Sequence, residues 1–196
     1  MKFPKIILAS KSPRRAQLLD LAELSYQVIA SESDEVYPSG LTPAEITAHV
    51  AKQKGLEVQR KLLDIANPGT LNLPIVSADT LVVLEDRVIG KPANTQEAIA
   101  ILKSLSGKTH LVVTGTCILY KNLEIIFCET TEVDFHILTN EQITFYVDTY
   151  HPLDKAGAYA IQEWIGVTGI KAIRGDYYNV MGLPVSRLLQ ELHALI

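Results

Sequence analysis

Apolar runs short enough for buried strands alternate along this chain with segments that carry helix caps, and that alternation constrains the fold more than any other feature. Lys5 to Ala9 reads as a strand. A helix follows, with Ser10 or Ser12 as its cap, Pro13 in its first turn and Ala16, Leu18, Leu19 and Leu21 carrying it onward. Tyr26 to Ala30 is a second strand, leading into a polar, acidic loop from Ser31 to Gly40. Thr42-Pro-Ala-Glu45 is a capping box that opens a helix running towards Ile65. Ile75 to Glu85 is a long apolar strand that turns at Asp86-Arg87 into Val88-Ile-Gly90. Asn94 or Thr95 caps a helix ending before Gly107. His110 to Tyr120 and Glu124 to His136 are strands joined at Lys121-Asn122, and Thr139-Asn-Glu-Gln142 starts another helix. Ile170 to Arg174 and Tyr178 to Met181 read as short strands, and Pro184 opens a last helix. Strands and helices interleave, so the expected class is α/β, a mixed sheet flanked by helices.

Composition narrows the function. A chain of 196 residues can bury a real interior as one domain, or as one core with a smaller lobe. A net charge of −4 argues against a general nucleic-acid binder, which needs a basic face, yet permits a local basic pocket. Cys117 and Cys128 form no CxxC pair and the five histidines show no ligand spacing, so neither zinc nor a disulfide framework is indicated. The apolar run ending at Ala9 is too short for a signal segment, and no later stretch could span a bilayer; a cytoplasmic protein without a membrane partner is expected. Gly107-Lys108-Thr109 matches only the end of a P-loop, since Leu102 stands where the first glycine belongs and the helix precedes the triplet.

Three segments could carry chemistry. The first is Leu8-Ala-Ser-Lys-Ser-Pro-Arg-Arg, which places Lys11, Arg14 and Arg15 at the positive end of a helix. Each costs about 0.3–1 kcal/mol there if exposed and unpaired. Helix N–H groups, the Ser10 hydroxyl and two guanidiniums suit a bound polyanion; the alternative is a solvated basic turn with Arg15 salt-bridged nearby. The second is Ile75-Val-Ser-Ala-Asp-Thr-Leu-Val-Val83, in which Asp79 alone interrupts the apolar run. An unpaired buried carboxylate costs several kcal/mol, so Asp79 needs a cation, a metal or several N–H donors. Thr80 beside it completes a pairing suited to magnesium and activated water; the alternative is an aspartate capping the strand end. The third is a cation set. Gly90 and Pro92 aim Lys91, and Lys54 shares the stripe Ile46, Val50, Val58, from which it either snorkels to solvent or reaches into a pocket. Asp34 and Glu35 lie in the acidic loop, where such residues are usually solvated. His151 to Gln162 lacks periodicity and looks like a functional loop leading into a strand, and Gly175 to Pro184 has the same character.

Taken together, LASKSPRRAQLL, SADTLVV, IGKP, LDKAGAYAIQ and GDYYNVMGLP resemble, in order and spacing, the Maf family of nucleoside triphosphate pyrophosphatases, from Leu8 to the last helix. The resemblance implies one such domain over residues 1–196, elongated, related to the inosine triphosphate pyrophosphatases and with a cleft between two lobes. It implies hydrolysis of a nucleoside triphosphate to the monophosphate and pyrophosphate, dependent on a divalent cation, Mg2+ or Mn2+. By motif, Ser10, Arg14, Arg15, Lys54 and Lys91 would bind phosphate, and Asp79 would be the catalytic residue. Asp79 and Glu35 would hold the metal, and Arg14, Thr80 and Gln162 would set specificity. SPRR with AGAYxIQ resembles the branch acting on dTTP and UTP, while Glu163-Trp164-Ile165-Gly166 departs from the glycine-rich stretch usual after the glutamine. The rival expectations are the same reaction on modified or 7-methyl-guanine nucleotides, and a nucleotide-binding regulator of septum formation without turnover. The sequence leaves monomer and homodimer open.

Overall fold

The computed structural model describes residues 3–32, 40–64 and 72–195. Their strands form a mixed sheet in the order β2-β1-β3-β5-β6-β7, with β4 paired to β3. By contacts the chain divides into two units: Met1–Asp79, Thr114–Glu129 and Gly182–Ile196 form the first, Thr80–Val113 and Thr130–Met181 the second. No helix among the described residues is long and apolar enough to cross a membrane.

In the first unit, β1 (Ile6–Leu8) lies parallel to both β2 (Tyr26–Val28) and the start of β3 (Ile75–Leu84). All three β1 side chains are fully buried, as an unbroken apolar run between two parallel neighbours should be. Helix α1 (Pro13–Leu21) buries Leu18 and Leu19. Helix α2 (Pro43–Asp64) starts from the expected capping box, with Thr42 N–H donating to Glu45 Oε2 at 2.8 Å and Glu45 N–H to Thr42 Oγ1 at 3.3 Å. It packs Ala51, Val58 and Leu62 against Ile7, Ile75, Cys117 and Leu119. Burial pushes the Cys117 thiol up to about 12, so it is a neutral core group.

The helix approaches the sheet unusually closely. A Cβ on Gly115, in β5 (Thr109–Tyr120), would lie 2.4 Å from the backbone of Thr47 and Ala48, and one on Gly55 would lie 2.9 Å from Ser77 Oγ. Ser77 Oγ in turn donates to the Ala51 carbonyl at 2.6 Å. Two glycines thus let α2 settle on the face of β3 that carries Ser77 and, two residues on, Asp79.

In the second unit, β3 turns back into β4 (Arg87–Ile89) through Glu85 and Asp86, both at positive φ (50° and 66°). That is the geometry of a tight hairpin, and the turn sits one residue earlier than the sequence suggested. Asn94 caps α3 (Thr95–Leu105) by accepting from Glu97 N–H, and a full capping box at Thr139 and Gln142 opens α4 (Asn140–Tyr150), which packs on α3. Strand β6 (Leu123–Phe135) pairs antiparallel with β7 (Ile170–Arg174). His110, Phe135 and Tyr159 meet edge to face inside this unit.

Two expectations fail here. Tyr177–Met181 is a helix, α6, not a strand: Asn179 is buried and its amide donates to Val112 O and Thr131 Oγ1, which holds the turn inward. The loop from His151 does not lead into a strand either. It forms two short 3-10 turns, and a helix, α5 (Trp164–Gly169), intervenes before β7. Helix α7 (Val185–His193) follows Pro184 as expected.

Candidate active site

The apolar run of β3 is buried along nearly its whole length, and Asp79 lies in its interior with 3% of its surface exposed. It therefore does not cap a strand end. Its charge is met by Lys54, whose Nζ lies 2.7 Å from Asp79 Oδ1, the two side chains 12% and 5% exposed. Lys54 does not snorkel to solvent; the stripe that places Val50 and Val58 in the core turns it towards the sheet. Asp79 Oδ2 is buried and has no hydrogen-bond partner among the described residues. A buried carboxylate with one oxygen neutralised and the other unmatched is costly unless something else comes to it. Thr80, the next residue of β3, projects from the opposite face of the strand, as successive strand residues do.

Ser10 and Arg15 form a second cluster in the same unit. β1 ends at Leu8, and Ser10 Oγ then accepts from Ser12 N–H at 3.1 Å and from Arg15 Nη1 at 3.2 Å. Ser12 is the N-cap residue of α1 but makes no side-chain cap. Arg15 is buried and donates through Nε to the Gly182 carbonyl at 2.7 Å, so its planar fork ties the start of α1 to the segment before α7. Arg14, its neighbour, is half-buried.

Thr80, Lys91 and Gln162 belong to the second unit. Thr80 is half-buried, while Lys91 and Gln162 are exposed. The segment carrying Lys91 is anchored by buried Pro92 and by Gly90 O, which accepts from Gly157 N–H at 3.2 Å. Gly90 itself has open space where a Cβ would go, so its carbonyl rather than its missing side chain holds the backbone. Glu35 and Asp34 lie outside the described residues.

A divalent cation fits what is visible. Magnesium commonly takes one or two carboxylates and completes its shell with water and substrate phosphates. Asp79 Oδ2 is an unmatched carboxylate oxygen of the right kind, and among the described residues no group of three His, Cys, Asp or Glu forms a closed cage. Neither the pairing of Lys54 with Asp79 nor the bond from Arg15 to Gly182 was marked by spacing. Gly55, next to Lys54, was the available sign of a close helix–strand approach.

Comparison with known proteins gives the chain a family. The family model for Maf-like protein matches residues 5–195, and the chain belongs to that family. It is 43% identical over 192 residues to a dTTP/UTP pyrophosphatase of Bacteroides thetaiotaomicron, covering 97% of this chain and 96% of that protein. Proteins of the same name from Parabacteroides distasonis and from Bacillus thuringiensis subsp. konkukian are 44% and 45% identical, covering 98% and 96% of this chain and 96% and 94% of their own lengths.

Proposed function

We propose that the protein is a cytoplasmic nucleoside triphosphate pyrophosphatase that hydrolyses dTTP and UTP to the monophosphate and pyrophosphate. Relatives that carry this name over nearly their full length support the substrate. The observation that carries the chemistry is Asp79, a carboxylate buried in an apolar strand with Oδ1 held by Lys54 and Oδ2 unmatched among the described residues.

In this reading water attacks the α-phosphorus. Its oxygen forms the new P–O bond, the bond from the α-phosphorus to the bridging oxygen breaks, and pyrophosphate leaves with the electron pair. The proton of the water passes to the Asp79 carboxylate. Lys54 fixes that carboxylate and faces it with a positive charge, while Arg14 and Lys91 neutralise phosphate oxygens and Ser10, with the first N–H groups of α1, donates to them. Arg15, bonded to Ser10 and to the Gly182 carbonyl, holds Ser10 in place as it contributes charge. A divalent cation, Mg2+ or Mn2+, would be held by Asp79 and Glu35 and would supply further neutralisation of the triphosphate. Gln162 offers a carbonyl to the N3–H of uracil or thymine and an amide N–H to a ring carbonyl, with Thr80 and Arg14 setting how deep the nucleotide sits. A glutamine amide can also turn to suit cytosine, so a fixed backbone group near Gly157 or Tyr159 completes the selection.

Pyrophosphate release measured over canonical and modified triphosphates, with magnesium or manganese, tests the proposal. dTTP and UTP are expected above CTP, dATP and dGTP. Equal rates throughout, or preference for a 7-methylated guanine, would overturn the substrate assignment and leave the phosphate chemistry standing.

A further inference from the structure

The stretch after Gln162 is where this chain departs from the pattern it resembles, and it is also a turn tied by several side chains of the second unit. Gln162 is exposed, yet the residues on either side are pinned. Before it, Ala160 N–H donates to Tyr146 Oη at 3.1 Å, and Tyr159 Oη lies 2.7 Å from His110 Nε2. After it, Glu163 accepts from the same Tyr146 hydroxyl through Oε2, and its Oε1 lies 3.6 Å from Nζ of Lys155, a lysine only 9% exposed at its side chain. The backbone closes on itself as well, with Glu163 N–H donating to Ala160 O at 3.1 Å and Gly166 N–H to Glu163 O at 2.9 Å. A Cβ at Gly166 would fall 1.7 Å from the Ile161 carbonyl oxygen, so only glycine permits this closure.

One hydroxyl, that of fully buried Tyr146, therefore receives the chain before Gln162 and donates to the carboxylate after it. We propose that Glu163, through Tyr146 and Lys155, is a positioning residue that sets the orientation of Gln162 towards the nucleobase. The proposal rests on the reading of Gln162 as the residue that meets the base. A glutamine on a free loop could approach uracil or cytosine from different backbone positions. On a turn held from both sides its amide keeps its own rotation but meets the base from one fixed place, so the fixed groups beside it can discriminate. Glu163 thus takes over, by the hydrogen bond from Tyr146 of α4 and the charge of Lys155 between the two 3-10 turns, the restraint that a discriminating site needs.

A double-mutant cycle separates this role from simple stabilisation. The ratio of kcat/KM for UTP over CTP is measured for the unaltered protein, Tyr146→Phe, Gln162→Ala and the double variant, alongside their melting temperatures. Tyr146→Phe is expected to lower the ratio about 10-fold, equivalent to roughly 1.4 kcal/mol, and to leave it unchanged when Gln162 is already alanine. Glu163→Ala tests the same contact from its other end and serves if Tyr146→Phe is too unstable to assay. Glu163→Gln, which keeps an acceptor for the Tyr146 hydroxyl, should retain most of the ratio. A ratio preserved in folded Tyr146→Phe or Glu163→Ala, while Gln162→Ala loses it, overturns the positioning role alone, as does an equal loss in both backgrounds. If Gln162→Ala keeps the ratio, the base-reading role of Gln162 itself fails and this proposal fails with it.

Discussion

The two units bury polar groups in opposite ways. In the first, Lys54 and Asp79 form an ion pair in the interior, and one carboxylate oxygen has no hydrogen-bond partner among the described residues. In the second, His110 is 1% exposed and bonded to the neutral Tyr159 hydroxyl; burial lowers its pKa to about 4 and raises that of Tyr159, so both stay uncharged at neutral pH. A buried ion pair is poor value for stability, because its desolvation cost rivals its Coulomb gain. Its presence beside an unmatched oxygen points to chemistry. A neutral histidine in an aromatic cluster holds shape instead, here the chain that leads to Gln162.

That contrast can be broken at several points. The largest effect should come from Lys54→Met, which strands the Asp79 charge. Urea unfolding is expected to show a loss of about 3–5 kcal/mol, and the double change with Asp79→Asn should recover much of it. Recovery failing to appear would mean that packing, not charge, decides the site. Asp79→Asn alone keeps the shape and removes the proposed proton acceptor, so turnover should drop roughly 10² or more with the fold intact. Near-normal pyrophosphate release from that variant would remove Asp79 from the chemistry.

His110 gives a smaller, pH-dependent signature. Its folded pKa of about 4 lies below its ordinary 6.5, so the unfolded chain takes up the proton first as pH falls. Its contribution is fully present above about pH 6.5 and is lost as pH drops towards 4, on the order of 2 kcal/mol between pH 7 and 4.5. His110→Gln should flatten that part of the stability–pH curve, and an unchanged slope would show that the histidine charges within the fold. Last, Lys52 pairs with Glu124 at 2.8 Å on the surface. Lys52→Ala should change neither turnover nor melting temperature measurably, in contrast to its neighbour two residues on. Equal losses at both positions would dissolve the distinction between buried and exposed cation.

Local signals in the sequence were read well where the cause is itself local. The boxes at Thr42 and Thr139 form because each side chain reaches its own helix within three residues. Asp79 stood out because nothing else charged shares its run, and Lys54 because its spacing matches Ile46, Val50 and Val58. The pairing of the two is not local. It depends on how α2 is placed along β3, which Gly55, Gly115 and the Ser77 hydroxyl decide. The strand expected over Tyr178 to Met181 fails for the same reason: the segment is a helix whose Asn179 is drawn inward by acceptors far away in the chain. The network at Glu163 joins residues 146, 155, 160 and 163, and no periodicity signals it.

Gly115 has a reach beyond its own contact. It touches α2 at Thr47 and Ala48, two turns from Lys54, and a stiff helix transmits a push along its length. Opening 2.4 Å to an ordinary contact would move that end of the helix by about 1 Å, enough to stretch a 2.7 Å ammonium–carboxylate contact past hydrogen-bond range. The distance between Lys54 and Asp79 is therefore gauged by an atom that is not there. Alanine at this position would detune the site remotely, and a screen of variants around Asp79 alone would never find it.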